Sequence, residues 1–334
     1  MNKLIFLLAI VFYVSLSACS RGYKDKLDVS ISDSNIKSLQ INQYGKALFE
    51  ADTANLQSAL KTLQPQFPQF LSADLDDSAN IQQLYNFISD TFLIGLNKSV
   101  REVYPDIAQI EKMLLPVYQR FNYYYPDIQL APVFTYISGL NHEMPIIVGE
   151  GAIVVGLDCY LGADCRKYDL AGIPKYRSLR MSTPYLPRDF AAAIYDAYLP
   201  AHERPSTILD EMAHSGKKLF FVEAMIPAIS DEVLLGYTKE QLEWVRKHEG
   251  DIWAFLVGDK LLYSNDFNVF KKLFADGPFS REFDQNAPAR LGEFIGLQMV
   301  RSYAENQDDF CLKRLIKKQD SQQILIEARY KPAK

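Results

Sequence analysis

Histidine, tryptophan and cysteine are scarce in this 334-residue chain, with four, two and four residues. No Gly-x-Ser-x-Gly elbow and no phosphate loop occurs, which removes the motif-bearing serine hydrolases and P-loop enzymes from consideration. Neither sign of charge dominates. The net charge is −5 with both signs interspersed, so the basic footprint of a nucleic-acid binder is missing. Beyond the first twenty residues, no run reaches the roughly 18 apolar residues of a membrane helix. Internal repeats and low-complexity stretches are absent too, excluding solenoids and long linkers.

What is present can bury a sizeable core, since 48% of residues are hydrophobic and 23% charged, with Tyr and Phe at 20 each. That composition fits one large domain or two small ones. Lys3 supplies a positive start and Leu4 to Leu16 an apolar run too short to span a bilayer. Leu16-Ser17-Ala18-Cys19 reads as a lipobox, so residues 1–18 are expected to be a lipoprotein signal peptide and Cys19 the acylated mature terminus. Each buried methylene is worth about 0.8 kcal/mol, so several acyl chains would hold the protein on a membrane. Ser20-Arg21-Gly22 with Lys24 holds no acidic run, which points to the periplasmic side. Cys159, Cys165 and Cys311 remain. An envelope compartment permits a disulfide between Cys159 and Cys165, and three buried thiols are the alternative.

The polar stretch 19–34 reads as a tether, followed by a single α+β domain over 35–334. Residues 35–125 show helical apolar stripes, broken at Gln64-Pro65-Gln66-Phe67-Pro68. One stripe runs from Asn80 to Asn97 and another from Val103 to Tyr124. Over 127–157 the period changes to that of strands, at Asp127–Ile137, Pro145–Val148 and Ala152–Leu157. Helices return over 187–330. One is expected over Pro187–Tyr198, one over Thr207–Lys218 with Gly216 near its end, and one from Thr238 to Leu256. The fold class is thus mostly helical α+β with a small sheet.

The helix over Thr207–Lys218 holds the chemistry. Asp210 and His214 are four apart and share a face, with Glu211 one step round. The spacing is that of the H-E-x-x-H zinc peptidases, whose glutamate is a general base for zinc-bound water. Here the first histidine is Asp210. Glu293, a lone acid in an apolar helix, completes a candidate metal set Asp210, His214 and Glu293, with Glu211 catalytic if the protein is an enzyme. A set with two carboxylates selects zinc less well. The competing assignment is a hydrogen-bonded polar cluster that carries no metal. His142 lies between two expected strands and would reach the same cleft, or be an idle turn residue. Asp158 and Asp164 match no EF-hand loop and are expected to cap turns. His202 and His248 show no partner pattern.

Several blocks in fixed order resemble the gliding-motility lipoprotein GldB family of Bacteroidetes. They are Val155-Gly156-Leu157-Asp158-Cys159-Tyr160-Leu161-Gly162, Leu209-Asp210-Glu211-Met212 with His214, and Gly236-Tyr237-Thr238-Lys239-Glu240-Gln241. Asp276-Gly277-Pro278-Phe279 and Ile295-Gly296 with Val300-Arg301-Ser302-Tyr303 complete the series. The family is similar to gluzincin-type peptidases, so the resemblance implies a sheet whose edge runs beside a zincin-like helix, with Asp210 standing where those enzymes have histidine. It further implies a part in gliding and in the type IX secretion machinery, with envelope proteins as partners. The chain is expected to be non-catalytic and free of cofactor, with a zinc-dependent peptidase as the alternative.

Overall fold

The structure, a computed structural model, describes residues 22–332 apart from 33, 200–205 and 281. The signal stretch, Cys19 and His202 therefore lie outside it. A first helix, α1 (Tyr23–Leu27), falls inside the stretch expected to be a tether. It is docked, with Leu27 1% exposed. Lys26 Nζ donates to the carbonyls of Ala304, Glu305 and Gln307 at 2.8, 2.9 and 2.7 Å, satisfying the orphan acceptors at a helix C-terminus. The tether boundary is thus corrected: polar composition hid a lysine that caps a distant helix.

Strand β1 (Ile41–Asn42) leads into α2 (Tyr44–Phe49), α3 (Leu56–Leu63), α4 (Ser78–Ser89), α5 (Thr91–Val103) and α6 (Ala108–Tyr124). The single stripe expected over 80–97 is two helices. Asp90 accepts from the backbone of Phe92 and Leu93 at 2.8 and 2.9 Å, restarting the helix as an N-cap. Strands β2 (Val133–Tyr136), β3 (Ile146–Gly149) and β4 (Ala152–Gly156) follow. The sheet order is β1-β2-β4-β3, with β3 antiparallel at the edge and the others parallel. Alternation along the strands divides two cores. Val133, Ile153 and Val155 face the main one, while Phe134 and Ala152 face a smaller cluster with Tyr44, Leu60 and Phe67.

The rest is helical: α7 (Arg166–Leu170), α8 (Lys175–Ser178), α9 (Tyr185–Tyr198), α10 (Ile208–Met225), α11 (Asp231–Leu235), α12 (Lys239–Lys247), α13 (Glu249–Gly258), α14 (Phe267–Phe274), α15 (Leu291–Glu305), α16 (Leu312–Lys317) and α17 (Ser321–Ala328). The main core draws on both halves of the chain, from Leu27 to Tyr330. Cys159 is buried, Cys165 half-buried and Cys311 exposed, all as free thiols.

Helix α10 does not stop at Gly216 but runs on to Met225. Gly216 is there for packing, since α10 crosses α15 so closely that a methyl group on Gly216 would enter the carbonyl of Gly296. The sheet is not beside α10 as expected. Its edge strand packs on α9, and α9 in turn packs on α10.

Lys217 is 2% exposed on α10 and donates to Lys318 O at 2.8 Å. Burial pushes its amine down from 10.5 to about 8, a penalty of roughly 3 kcal/mol at about 1.36 kcal/mol per pH unit. Lys217→Met removes that penalty and sacrifices a charge-assisted bond worth about 1.5–3 kcal/mol, so a gain of about 1 kcal/mol is expected at pH 7. The folded value is depressed, so the penalty is complete below about 8 and fades as pH rises towards the unfolded value. Urea unfolding from pH 7 to 10 should show the native protein gaining stability on the variant. Parallel curves would refute the assignment.

Candidate functional site

Two neighbouring features deserve comparison as sites: the start of α10, which the sequence singles out, and a cleft between the sheet edge and α9. Thr207 is the N-cap of α10 and forms a reciprocal capping box with Asp210. Asp210 Oδ2 accepts from Thr207 N at 3.0 Å and from Ser206 Oγ at 2.8 Å, and Oδ1 accepts from the Ser321 hydroxyl of α17. Burial alone would raise its pKa, but the bonds from Ser321, Ser206 and Thr207 outweigh burial and hold it low. Both carboxylate oxygens are therefore engaged.

Glu211, about 100° round the helix, turns elsewhere. Burial first, then the charge of Glu293, raises its pKa, with Lys218 opposing. Glu293 is held by Arg290 at 3.1 Å. His214 lies against the Tyr195 ring of α9, with centroids 6.2 Å apart. Glu211 thus feels the charge of Glu293, whereas Asp210 is turned back to its cap. Among the described residues no group of three or more His, Cys, Asp and Glu side chains is placed to hold a metal. Asp210 is thus committed to the cap of α10 and to Ser321 and is not grouped with His214 and Glu293.

The second feature is a cleft of about 710 Å³ between β3 and α9, with Arg177, Arg180 and Arg188 at one end. His142 sits there, its Nδ1 3.2 Å from Arg177 Nη1. At the head of the cleft one carboxylate serves three guanidiniums: Asp276 lies 2.6 Å from Arg180, 3.5 Å from Arg177 and 3.6 Å from Arg290. Arg290 stands over the Tyr237 ring at 5.4 Å and donates to Leu235 O at 2.6 Å. It adopts φ 59 as the residue before α15, an uncommon conformation for a side chain of this size. Gly236 has φ 67, and a Cβ there would press on the Arg180 stem, so glycine answers two demands at once.

Asp158 pins the turn after β2, accepting from Ser138 N, Ser138 Oγ and Leu140 N at 2.8, 2.9 and 2.7 Å. Asp164 pairs with Lys175 at 2.8 Å on the surface. The capping role expected for Asp158 is observed, at a turn supplied by another segment. His248 stacks on Trp244, with centroids 4.2 Å apart.

A family profile described as gliding motility protein GldB matches residues 24–332. The chain belongs to the GldB family. No curated protein and no solved structure matches it. The family is one of gliding-motility lipoproteins by its description, and among the described residues no helix is long and apolar enough to cross a membrane. The GldB blocks around Gly236 and Asp276 meet at the arginine cluster, which the sequence did not flag as a site. Their shared position in space was hidden by their separation along the chain.

Proposed function

We propose that this GldB-family protein is a lipid-anchored, non-catalytic accessory component of gliding motility and of type IX secretion, acting through envelope protein partners on the periplasmic side. The family match over residues 24–332 supports the motility assignment. The carrying observation for a non-catalytic role is the engagement of Asp210 in the α10 cap and with Ser321. As a zinc ligand Asp210 would have to turn away from the bonds that cap α10 and tie it to α17, and Glu211 without a zinc-bound water has nothing to deprotonate.

Acylation of Cys19 gives the body a short leash. Three residues lie between Cys19 and the docked Tyr23, so the four Cα steps reach at most about 14 Å when extended. The protein would then ride close against its membrane, which suits assembly with other anchored subunits.

Complementation in a gliding host tests the assignment. Cys19→Ala is expected to abolish gliding and leave the protein unprocessed or soluble, whereas Glu211→Gln should glide and secrete as the native protein does. Stoichiometric zinc after dialysis, with peptide cleavage lost in Glu211→Gln, would overturn the non-catalytic role. Normal recovery of Cys19→Ala in the lipid fraction would overturn the anchor.

A further inference from the structure

The arginine cluster is balanced only with the help of an exposed acid. Arg177, Arg180 and Arg290 converge on Asp276, and of the other acids Glu293 engages Arg290 at 3.1 Å while Glu143, 74% exposed, reaches Arg177 at 3.3 Å. Arg188 is occupied by Asp189 at 2.8 Å and by Leu234 O. An exposed partner such as Glu143 contributes little, so of the three guanidiniums one stays without a firmly held counter-charge. Burial holds Arg180 below the usual arginine value and the neighbouring Arg290 adds to this, although Asp276 is in contact.

Two donors are also left over. The Nε atoms of Arg177 and Arg290 are buried and make no hydrogen bond among the described residues. Arg290 is 8% exposed, and the two Nε atoms stand 3.5 Å (Arg177) and 3.6 Å (Arg290) from Asp276 oxygens, at or beyond the limit of a hydrogen bond. A buried donor left unmade costs about 1–3 kcal/mol, and more when charged. Such a group is retained where something else takes the bond.

Space for that partner exists. A pocket of about 190 Å³ adjoins the larger cleft, is lined by Arg180, Arg290, Asp276, Thr238 and Gln241, and shares Arg180 and Asp276 with it. Thr238 and Arg290 are the residues that begin α12 and α15, so two helix N-termini add their positive ends. Several guanidiniums around one point offer more N–H groups than a carboxylate can accept, whereas a phosphate group presents three strong acceptor oxygens.

We propose that the seam between these two clefts, at Arg177, Arg180 and Arg290 beside Asp276, is a binding site for a phosphate group. The site is independent of the accessory role proposed above. Its ligand is either a free phosphate compound or the phosphate of a lipid headgroup, and the chemistry of recognition is common to both.

Calorimetric titration of the full mature protein in non-ionic detergent, with inorganic phosphate at low salt, tests it. One-to-one binding is expected, with acetate at least tenfold weaker. Arg177→Gln and Arg180→Gln, both partly exposed positions, should each weaken phosphate at least tenfold without moving the thermal midpoint of the ligand-free protein. Arg101→Gln, at a remote surface ion pair with Glu50, should bind as the native protein does. Doping the micelles with phosphatidylglycerol separates the sources: displacement of phosphate assigns the lipid headgroup, and undisturbed binding assigns a free phosphate compound. No binding by the native protein, equal binding of acetate, or binding unchanged in both arginine variants would overturn the site.

Discussion

Gly296→Ala is expected to lower the stability of this protein by more than about 3 kcal/mol, although alanine is the better helix former. On propensity alone the change would add about 1 kcal/mol. Packing decides otherwise, because a methyl group on Gly296 would occupy the space of the Met212 carbonyl and Cα on α10. The obstacle is backbone within a helix, which cannot swing aside as a side-chain tip does. Relief requires α10 and α15 to separate, and Ile208, Leu209, Met212, Phe294, Ile295 and Met299, each at most 1% exposed, would lose contact together. Ordinary overpacking costs about 1–3 kcal/mol, and parting two helices exceeds it. Gly258→Ala, where nothing stands within 4 Å, is the matching control and should be neutral or slightly stabilising. Urea midpoints that coincide for Gly296→Ala and the native protein would remove the close crossing.

This crossing also marks how far the sequence could be read. Gly216 falls late in the apolar pattern, where a glycine ordinarily signals a helix end, and nothing local distinguishes a stop from a point of close approach. Capping chemistry was more legible. Thr238 with Gln241 announces the start of α12 and forms the reciprocal box, and the same logic applied at Asp90 would have divided the stripe over 80–97. β1 escaped because two residues cannot display a period, and its pairing of Ile41 with Val133 is long-range. One helix expected from Thr238 to Leu256 is two, meeting at His248. The α+β class survives these changes, because apolar stripes and β-branched runs report burial regardless of where each element stops.

The site was less legible than the fold for a physical reason. Asp210 satisfies two patterns, the i, i+4 partner of His214 and the third residue after a threonine N-cap, and only the second is used. Local spacing cannot choose between them, since the choice depends on Ser321, 111 residues away. The arginine cluster has no local pattern at all: Arg180 and Asp276 are 96 residues apart. The order of the family blocks was the signal within reach, and it named segments without saying that they meet.

Arg301→Met is expected to cost about 3–5 kcal/mol, the penalty for removing one partner of a buried ion pair. Arg301 grips Glu223 with two bonds, at 3.0 and 2.9 Å, and reaches Asp231 at 2.6 Å. Tyr23 closes the group, donating to Glu223 at 3.0 Å while its ring lies 5.3 Å from the guanidinium. Glu223 is 1% exposed, so without Arg301 its charge is stranded, whereas Asp231 keeps Arg246 at 2.7 Å. The double variant Arg301→Met, Glu223→Met should therefore recover most of the loss. Burial would raise the pKa of Asp231, but the bonds and charge of Arg301 and Arg246 outweigh it and hold it low. A depressed folded value means that this stabilisation is present above the unfolded carboxylate value and is lost as pH falls through the folded one. In Arg301→Met, Asp231 loses the bonds and charge of Arg301 that hold its pKa down and accepts a proton more readily, so the gap from the native protein should narrow between pH 7 and 4. Loss of the ion group also releases Tyr23, which anchors α1, so protease cleavage near Lys24 should accelerate in the variant. A gap that widens on acidification, with no rescue in the double variant, would show that the Arg301 stem, and not its charge, supports α1.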